Sequence, residues 1–212
     1  MKQALVLADI QNDFLPGGAL AVQNGDEILG VVEELLQPDN SYALIVVIQD
    51  WHPEGHGSFA SAHPGTNPFE TGELAGLEQV FWPDHCVQQT DGARLAKRIR
   101  DTVSGRARQG QKTLVVKKGQ NPEVDSYSAF FDNARRHDTG LHRALLAHDI
   151  EMVDIVGLAF DYCVKATALD SASLGFRTRV LLDATRAIDP SQINHHIEEL
   201  QNAGVECVNS NS

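Results

Sequence analysis

Cysteine is scarce in this chain of 212 residues, and its count does not indicate disulfides. Three cysteines, an odd number, do not suggest a disulfide framework, so we expect a reducing, cytoplasmic setting. The chain also lacks an apolar run near the roughly 20 residues that a helix needs to cross a bilayer, and we expect no membrane partner. Residues 1–9 lack the apolar segment and the small-residue cleavage site of a signal peptide, and their pattern predicts a strand.

Positive charge is also in short supply. The chain has 17 Lys and Arg residues against 29 Asp and Glu residues, for a formal net charge of -12. Because phosphate binding requires clustered Lys and Arg, this balance argues against a nucleic-acid partner. The densest basic stretch, residues 94–108, is interrupted by Asp101 and by apolar residues, which is typical of a solvated helix face.

Short apolar runs alternate along the chain with stretches of helical periodicity. An apolar fraction of 42% in 212 residues is enough for one core, so we expect a single domain over residues 1–212. Strand–helix alternation predicts an α/β fold: a doubly wound, mostly parallel six-stranded sheet with helices on both faces. The expected strands are residues 3–8, 42–48, 113–117, 152–156, 178–182 and 205–208. The expected helices are residues 26–36, a stretch around 95–103, and residues 141–148, 164–174 and 191–203.

Two long connections interrupt this alternation. Residues 10–24 join the first strand to the first helix, and residues 50–91 form a connection of about 40 residues rich in Gly, Pro, His and Trp. We expect residues 74–79 to form a helical turn inside the longer one. Long connections within compact domains are usually functional, so we expect the site to draw on both.

Polar residues follow four of the predicted strands. They are Asp9, Asp50, either Lys117 or Lys118, and the stretch from Asp161 to Cys163. The carboxyl ends of parallel strands meet at one edge of the sheet, where open α/β sheets bind their ligands. A single strand-terminal Asp is more often a turn or cap residue, but two carboxylates, an amine and a thiol at one edge together indicate a catalytic site.

Cys163 is the candidate nucleophile because it opens a predicted helix. The partial positive charge and free amides of a helix N-terminus lower the pKa of a thiol, and a nearby lysine would lower it further. We therefore predict a lowered pKa for the Cys163 thiol. The same amides could hold an oxyanion. Cys86 and Cys207 are interpreted as structural cysteines.

The long connection also carries a group of potential metal ligands. Asp50 and His52 lie two residues apart in extended chain and can face the same way, and His85 supplies a second imidazole. Two imidazoles and one carboxylate leave positions open on an octahedral ion. His56 and His63 are additional candidates, and the alternative interpretation is a merely polar surface loop.

Aromatic residues are few, at 6% of the chain, but three of them lie close in sequence to these groups. Phe14, Trp82 and Tyr127 could hold a flat ring, although each by itself is more often a core residue.

Along nearly its whole length the chain resembles the bacterial nicotinamidases, also called pyrazinamidases, of the isochorismatase-like cysteine hydrolase superfamily. The motifs that carry the resemblance are ADIQNDF at 8–14, QDWHP at 49–53, HGSFA at 56–60, FWPDHCV at 81–87, KG at 118–119, DSYSAF at 125–130 and GLAFDYCV at 157–164. The resemblance implies a catalytic triad of Asp9, Lys118 and Cys163. Since the family lysine directly precedes a glycine, it selects Lys118 over Lys117.

The resemblance also implies the rest of the site. The metal ligands would be Asp50, His52 and His85, around one divalent ion that we expect to be zinc, with iron or manganese as alternatives. The ring contacts would be Phe14 and Trp82. The backbone amides of Ala159 and Cys163 would form the oxyanion hole, and a cis peptide would precede Ala159.

The implied activity is the hydrolysis of nicotinamide to nicotinate and ammonia in NAD salvage, with pyrazinamide as a second substrate, through a Cys thioester. The nearest alternative is another isochorismatase-like amidase acting on a carbamoyl or ureido substrate, but most such relatives lack the Asp-His-His set. A non-haem iron oxygenase would use the same two His and one carboxylate. It would leave the thiol and the lysine unexplained. A non-catalytic binding module would not need Cys163. A homo-oligomer is left open.

Overall fold

The computed structural model describes residues 1–211 and contains one central sheet, five helices and a separate hairpin. The strands are β1 (Lys2–Ala8), β2 (Leu44–Asp50), β3 (Thr71–Leu74), β4 (Leu77–Val80), β5 (Thr113–Lys118), β6 (Ile150–Leu158), β7 (Arg177–Arg186) and β8 (Glu206–Val208). The helices are α1 (Ile28–Leu35), α2 (Lys97–Arg108), α3 (Leu141–Ala147), α4 (Lys165–Ser173) and α5 (Ile193–Asn202). Short 3-10 turns precede α1 and α5.

The central sheet has six strands in the order β5-β2-β1-β6-β7-β8, and every pair in it is parallel. The chain first builds outward from β1 through β2 to β5 and then returns to add β6, β7 and β8 on the other side. The boundary between β1 and β6 is therefore a topological switch point, where connections leave in opposite directions and open a crevice. The predicted doubly wound, six-stranded sheet is confirmed.

Helices cover both faces of the sheet because its central strands are buried on both sides. Leu5 and Leu7 of β1 pack in a cluster with residues of α1 and α2, while Ala4 and Val6 pack in a second cluster with residues of α3, α4 and α5. Since successive side chains of a strand point to opposite faces, an unbroken apolar run can serve both clusters. This explains why the strands read as continuous apolar segments.

The prediction of a helical turn at residues 74–79 is wrong. These residues belong to an antiparallel hairpin, in which β3 and β4 pair Leu74 with Leu77. The two residues between the strands, Ala75 and Gly76, have φ values of 59° and 81°. Positive φ at both central positions is typical of the two-residue turn that matches the twist of paired strands. A glycine at the second position was the available signal in the sequence.

Other differences are at element ends. The strand expected at residues 152–156 runs from Ile150 to Leu158, and the strand expected at 178–182 extends to Arg186. No helix within residues 1–211 combines the length and the apolar character needed to cross a membrane.

Gly157 near the end of β6 provides a test of how closely β6 approaches β1. Its φ is +119°, and a Cβ at this position would lie 2.0 Å from the carbonyl oxygen of Ala8. Because both the conformation and the space exclude a side chain, we expect Gly157→Ala to lower the free energy of unfolding by at least about 2 kcal/mol in urea denaturation.

Gly30 in α1 is the matched control, since a Cβ there meets nothing within 4 Å. Gly30→Ala should leave stability unchanged or raise it by up to about 1 kcal/mol, the difference in helix propensity. Equal midpoints for the Gly157 and Gly30 variants would show that β6 can move away from β1 at no cost.

Candidate active site

Lys118, the last residue of β5, is the central group of the site. Its side chain is buried, and its ammonium donates to Asp50 Oδ1 at 2.6 Å, to the carbonyl of Ser126 at 2.9 Å and to Cys163 Sγ at 3.3 Å. The same nitrogen lies 3.1 Å from Asp9 Oδ2. The ammonium therefore joins the ends of three neighbouring strands to the thiol.

Lys118 and the adjacent Lys117 lie on opposite faces of the sheet. Successive residues of β5 face opposite sides of the sheet, and Lys117 extends its ammonium over the Trp51 ring at 3.4 Å, on the exposed side. The two nearby carboxylates raise the pKa of Lys118 well above its usual value, although burial opposes this, so its side chain stays charged.

Asp9 is fully buried beside the thiol. Its carboxylate, that of Asp50 and the sulfur of Cys163 each place an atom within 4.8 Å of the others. Neither oxygen of Asp9 has a hydrogen bond of good geometry to any residue in 1–211, and Lys118 is its ion-pair partner. Burial raises the pKa of Asp9 to about 6, since its effect exceeds the lowering by Lys118. Asp9 is thus mostly a carboxylate at neutral pH, but one that takes up a proton readily.

Cys163 is buried in a π-helical turn, Phe160–Val164, that connects β6 to α4. Burial raises the pKa of its thiol well above the usual value, and the carboxylates of Asp9 and Asp50 add to this against the lowering by Lys118. The prediction of a lowered pKa is wrong, because a helix start and one lysine do not outweigh burial beside two acids. The thiol keeps its proton until a base removes it, and Asp9 is next to it.

The turn before Cys163 also places Ala159. The Leu158–Ala159 peptide is cis, as the resemblance implied, and the Ala159 carbonyl accepts from the amides of Tyr162 and Val164 at 3.2 and 3.1 Å. Ala159 and Cys163 both line the cavity described below. The assignment of their amides to an oxyanion hole stays a prediction.

Asp50, His52 and His85 form a buried group whose ligand atoms lie within 4.8 Å of one another. The Nδ1 atoms of His52 and His85 donate to the carbonyls of Gly119 and Pro83, at 2.9 and 2.8 Å. Since a carbonyl only accepts, each Nδ1 carries a proton, and each Nε2 is the ring nitrogen that faces Asp50.

Both Nε2 atoms are near the carboxylate of Asp50. The Nε2 atoms lie 3.7 Å and 3.8 Å from its oxygens, which is beyond hydrogen-bond distance. Burial lowers the pKa of His52 to about 4, so that ring is neutral at pH 7. The Nε2 lone pair of neutral His52 repels a carboxylate unless a cation lies between them, whereas burial lowers the pKa of His85 and the contact with Asp50 more than offsets this and raises it. Backbone-anchored Nδ1 atoms are the usual support of metal-binding histidines. These residues fit a metal ion.

Gly119 links this group to the lysine. Its φ is +65°, and a Cβ on it would lie 2.4 Å from the Cε1 atom of His52. Only glycine lets the carbonyl of residue 119 reach the imidazole while Lys118 turns towards the thiol. This is a physical reason for a glycine directly after the lysine.

The structure brings neither additional histidine into the Asp50 group. Both ring nitrogens of His56 are engaged, Nε2 with the carbonyl of Asn121 at 2.7 Å and Nδ1 with Ser58. His63 donates to the carbonyl of Gly57 at 2.7 Å, and its ring packs on Phe81. His56 and His52 form an overlapping group with Asp125.

A cavity of about 320 Å³, part of it open to solvent, joins the thiol to the metal-binding group. All three predicted aromatics line it. Trp82 and Tyr127 meet edge to face at 6.4 Å, with the indole nitrogen donating to the phenol oxygen at 3.3 Å, and Phe14 meets His85 edge to face. The aromatic lining suits one small aromatic ring.

Sequence reasoning missed four cavity residues: Leu20, Asp125, Tyr162 and Ile188. Asp125 and Tyr162 fall inside recognised motifs, so their positions were available as a signal. Leu20 and Ile188 lie in connections with no distinguishing pattern. Asp125 is a buried carboxylate that accepts from Gln79 at 3.2 Å and from the amide of Ser126.

A buried thiol, carboxylate and ammonium at the switch point of a parallel sheet define the class of α/β cysteine hydrolases. The chain belongs to the isochorismatase family, because the model of the isochorismatase domain matches residues 3–212.

Relatives in sequence and structure narrow this further. The chain is 45% identical to a nicotinamidase of Escherichia coli over 205 residues, which cover 95% of this chain and 92% of the relative. A yeast nicotinamidase bound to the inhibitor nicotinaldehyde superimposes with a TM-score of 0.92 and 38% identity, covering 98% of this chain and all of that one. A pyrazinamidase of Pyrococcus horikoshii in complex with zinc gives 0.76 and 32%, with 99% of each chain covered.

Two buried carboxylates with different surroundings should respond differently to the same substitution. Asp50→Asn replaces a carboxylate ligand by a neutral amide, so we expect metal affinity to fall by at least about a hundredfold, the upper end of what losing a supporting partner costs. Asp9→Asn should retain the metal, because Asp9 faces Lys118 and the thiol. Titration with a metal-chelating indicator measures both, and metal-free Asp9→Asn protein would mean that the two carboxylates are wrongly assigned.

Proposed function

We propose that this protein hydrolyses nicotinamide to nicotinate and ammonia, and so serves NAD salvage, and that it also hydrolyses pyrazinamide. The observation that carries the proposal is the continuity of one cavity. A buried thiol beside a carboxylate and an ammonium opens directly into a pocket lined by aromatic rings and a metal-binding group. The identity of 45% to the Escherichia coli nicotinamidase supports the same substrate.

The lining residues define how the substrate would sit. The pyridine ring would lie among Phe14, Trp82 and Tyr127, with its carboxamide over Cys163. A divalent ion held by Asp50, His52 and His85 would supply a Lewis-acidic position for the ring nitrogen. We propose zinc, which suits nitrogen and oxygen ligands and is present in the similar pyrazinamidase, while iron or manganese would also accept this set.

Acylation would begin with a proton transfer. Asp9 takes the proton of the Cys163 thiol, and Lys118 stabilises the resulting thiolate. The sulfur attacks the amide carbon, so that a C–S bond forms and the carbonyl electrons move to oxygen, which the amides of Ala159 and Cys163 would hold. When the C–N bond breaks, Asp9 returns its proton to the departing nitrogen, and ammonia leaves.

Deacylation would use the same carboxylate. Asp9 takes a proton from a water molecule, and the water oxygen attacks the thioester carbon. The C–S bond breaks, the proton returns from Asp9 to the sulfur, and nicotinic acid leaves and loses its remaining proton to solvent as nicotinate. The raised pKa of Asp9, about 6, suits this exchange because Asp9 can take up and release a proton near neutral pH. Burial raises the pKa of the Cys163 thiol, so the thiol keeps its proton until Asp9 removes it.

The other candidate functions explain less of the site. A carbamoyl or ureido substrate would not need a ring pocket that includes Trp82 and Tyr127. An iron oxygenase would leave the contacts among Asp9, Lys118 and Cys163 without a purpose, and oxygen uptake would reveal it. A binding module would not need the thiol.

Two further points of the proposal rest on separate observations. The thiols of Cys86, Cys163 and Cys207 are all free, which supports a reducing, cytoplasmic location. The family match over residues 3–212 supports a single domain spanning residues 1–212.

The nucleophile is tested by Cys163→Ala. Because no other group would form the thioester, we expect turnover to fall by at least about a thousandfold while the fold and the metal content are retained. Ammonia release from nicotinamide measures the effect. Cys207→Ala, at a half-buried position in β8, is the matched control and should keep full activity. Cys86→Ala should also remain active, with a moderate loss tolerated because it follows His85.

Iodoacetamide provides an independent check of the same thiol. A single adduct at Cys163, located by mass spectrometry, should appear together with the loss of activity. Appreciable turnover by the Cys163→Ala variant would rule out the covalent mechanism.

The role of the metal-binding group is tested with three amides. Pyrazinamide keeps a nitrogen at the corresponding ring position and should be hydrolysed, whereas benzamide has the same shape and scissile bond but no ring nitrogen. A site built for a polar contact rejects an analogue lacking it by more than the roughly 10–200-fold that an apolar contact gives. We expect kcat/KM for benzamide to be at least about a thousandfold below that for nicotinamide.

Metal removal, verified by elemental analysis, should lower nicotinamide hydrolysis towards the benzamide rate. Comparable rates for the two amides, or full activity of metal-free protein, would show that Phe14 and Trp82 hold the ring by themselves.

A further inference from the structure

Asp161 is a buried carboxylate that the reaction described above does not use. It lies in the same π-helical turn as Cys163, two residues before it, and is 6% exposed. It is one of the polar residues that follow the strands at this edge of the sheet, but its carboxylate does not belong to the cluster of Asp9, Asp50 and Cys163. Its hydrogen-bond partners lie outside that cluster.

Both oxygens of Asp161 accept hydrogen bonds from one short segment. Oδ1 accepts from the amide of Ile188 at 3.0 Å, and Oδ2 accepts from the amide of Asp189 at 2.8 Å. Hydrogen bonds from amides to a buried carboxylate are stronger than those between neutral groups. The turn that carries the nucleophile is thereby tied to residues 188 and 189.

Ile188, one of the two residues held by these hydrogen bonds, belongs to the wall of the cavity. It lies between the end of β7 at Arg186 and the 3-10 turn Pro190–Gln192, in a stretch without regular secondary structure. Its side chain lines the cavity together with Tyr162 and Cys163. Because Asp161 and Cys163 share one turn, the hydrogen bonds of Asp161 set the distance between the Ile188 wall and the sulfur.

We propose that Asp161 is a positioning residue that determines substrate fit: it holds Ile188 as the wall of the ring pocket at a fixed distance from Cys163. This inference rests on the proposed function, since it assigns a substrate-binding consequence to the cavity. Loss of the tie lets the 187–189 segment withdraw, so that the ring is held less well while the thiol, Asp9 and Lys118 stay in place.

Asp161→Asn is the direct test. An amide keeps one acceptor oxygen but turns its NH₂ towards a backbone N–H, so one of the two hydrogen bonds is lost. We expect KM for nicotinamide to rise about tenfold and kcat to change by less than about threefold, since a lost hydrogen bond to a charged group is of that size. Alkylation of Cys163 by iodoacetamide should keep its rate within about twofold, because this small reagent enters the cavity without being held by the Ile188 wall.

Asp183→Asn is the matched control. Asp183 is a half-buried carboxylate of β7 that accepts from the amide of Ser210 at 2.8 Å, away from the cavity. The same substitution there removes the same kind of hydrogen bond and should leave KM unchanged. An equal rise in KM for both variants would contradict a specific role for Asp161.

Substrate selectivity distinguishes a positioning role of Asp161 from a general loss of rigidity in the site. Quinoline-3-carboxamide adds a fused ring to nicotinamide and keeps its nitrogen. Ile188→Ala should raise the kcat/KM of this wider amide relative to nicotinamide by about tenfold or more, the range for a few methylene groups. Asp161→Asn should shift the ratio in the same direction. The double variant should add little to Ile188→Ala, since both changes act through one wall.

The outcomes are distinguishable from failure of the proposed function. If the unmodified protein releases no ammonia from nicotinamide, the proposed function fails, whatever Asp161 does. If it does release ammonia, an unchanged KM in Asp161→Asn, or a fall in kcat accompanied by loss of Cys163 alkylation, overturns the positioning role.

Hydrogen exchange on the unmodified protein tests the tie even where the variant does not fold. The amides of Ile188 and Asp189 should exchange at least about a hundredfold more slowly than unstructured peptide, as expected of hydrogen-bonded amides that open only locally. Exchange at the rate of unstructured peptide would show that Asp161 does not hold this segment, and the proposal would be wrong.

Discussion

The ammonium of Lys118 is shared by two carboxylates and a thiol inside the protein, and the rest of the site is arranged around it. Asp50, Asp9 and Cys163 all lie within 3.3 Å of this one nitrogen. Burying two carboxylates is costly unless a positive charge compensates them, and removing one partner of such a cluster leaves an unpaired buried charge. The lysine therefore allows Asp9 to act as a base beside Asp50, which belongs to the metal-binding group. The two carboxylates remain separate because each occupies its own position around the ammonium.

Sheet order brings these groups together. Asp9, Asp50 and Lys118 end or follow β1, β2 and β5, which are adjacent in the sheet, while Cys163 follows β6 on the other side of β1. The switch point beside β1 thus brings together a thiol from one half of the sheet and its partners from the other.

The site also depends on short ties between segments. The carbonyl of Gly119 holds His52, so the residue after the lysine orients a metal-binding imidazole. Asp161 holds the amides of Ile188 and Asp189, so the turn before the nucleophile orients the pocket wall. Each of these hydrogen-bonded contacts joins a residue close to the sulfur to a residue that would contact the substrate or the ion. A displacement on one side of the site would therefore also displace the other side.

The amino-acid sequence by itself was sufficient for the strands of the central sheet, the α/β class and the groups at the edge of that sheet, because apolar periodicity and the residue following each strand are local properties. Its motifs also distinguished Lys118 from Lys117 and singled out Asp50, His52 and His85. The tertiary structure alone decided the rest. Residues 74–79 form a hairpin because pairing of β3 with β4 outweighs local helical preference. Burial raises the pKa of the Cys163 thiol, and that burial beside Asp9 arises only when distant parts of the chain fold together. Ile188 enters the pocket because a carboxylate 27 residues earlier holds its amide.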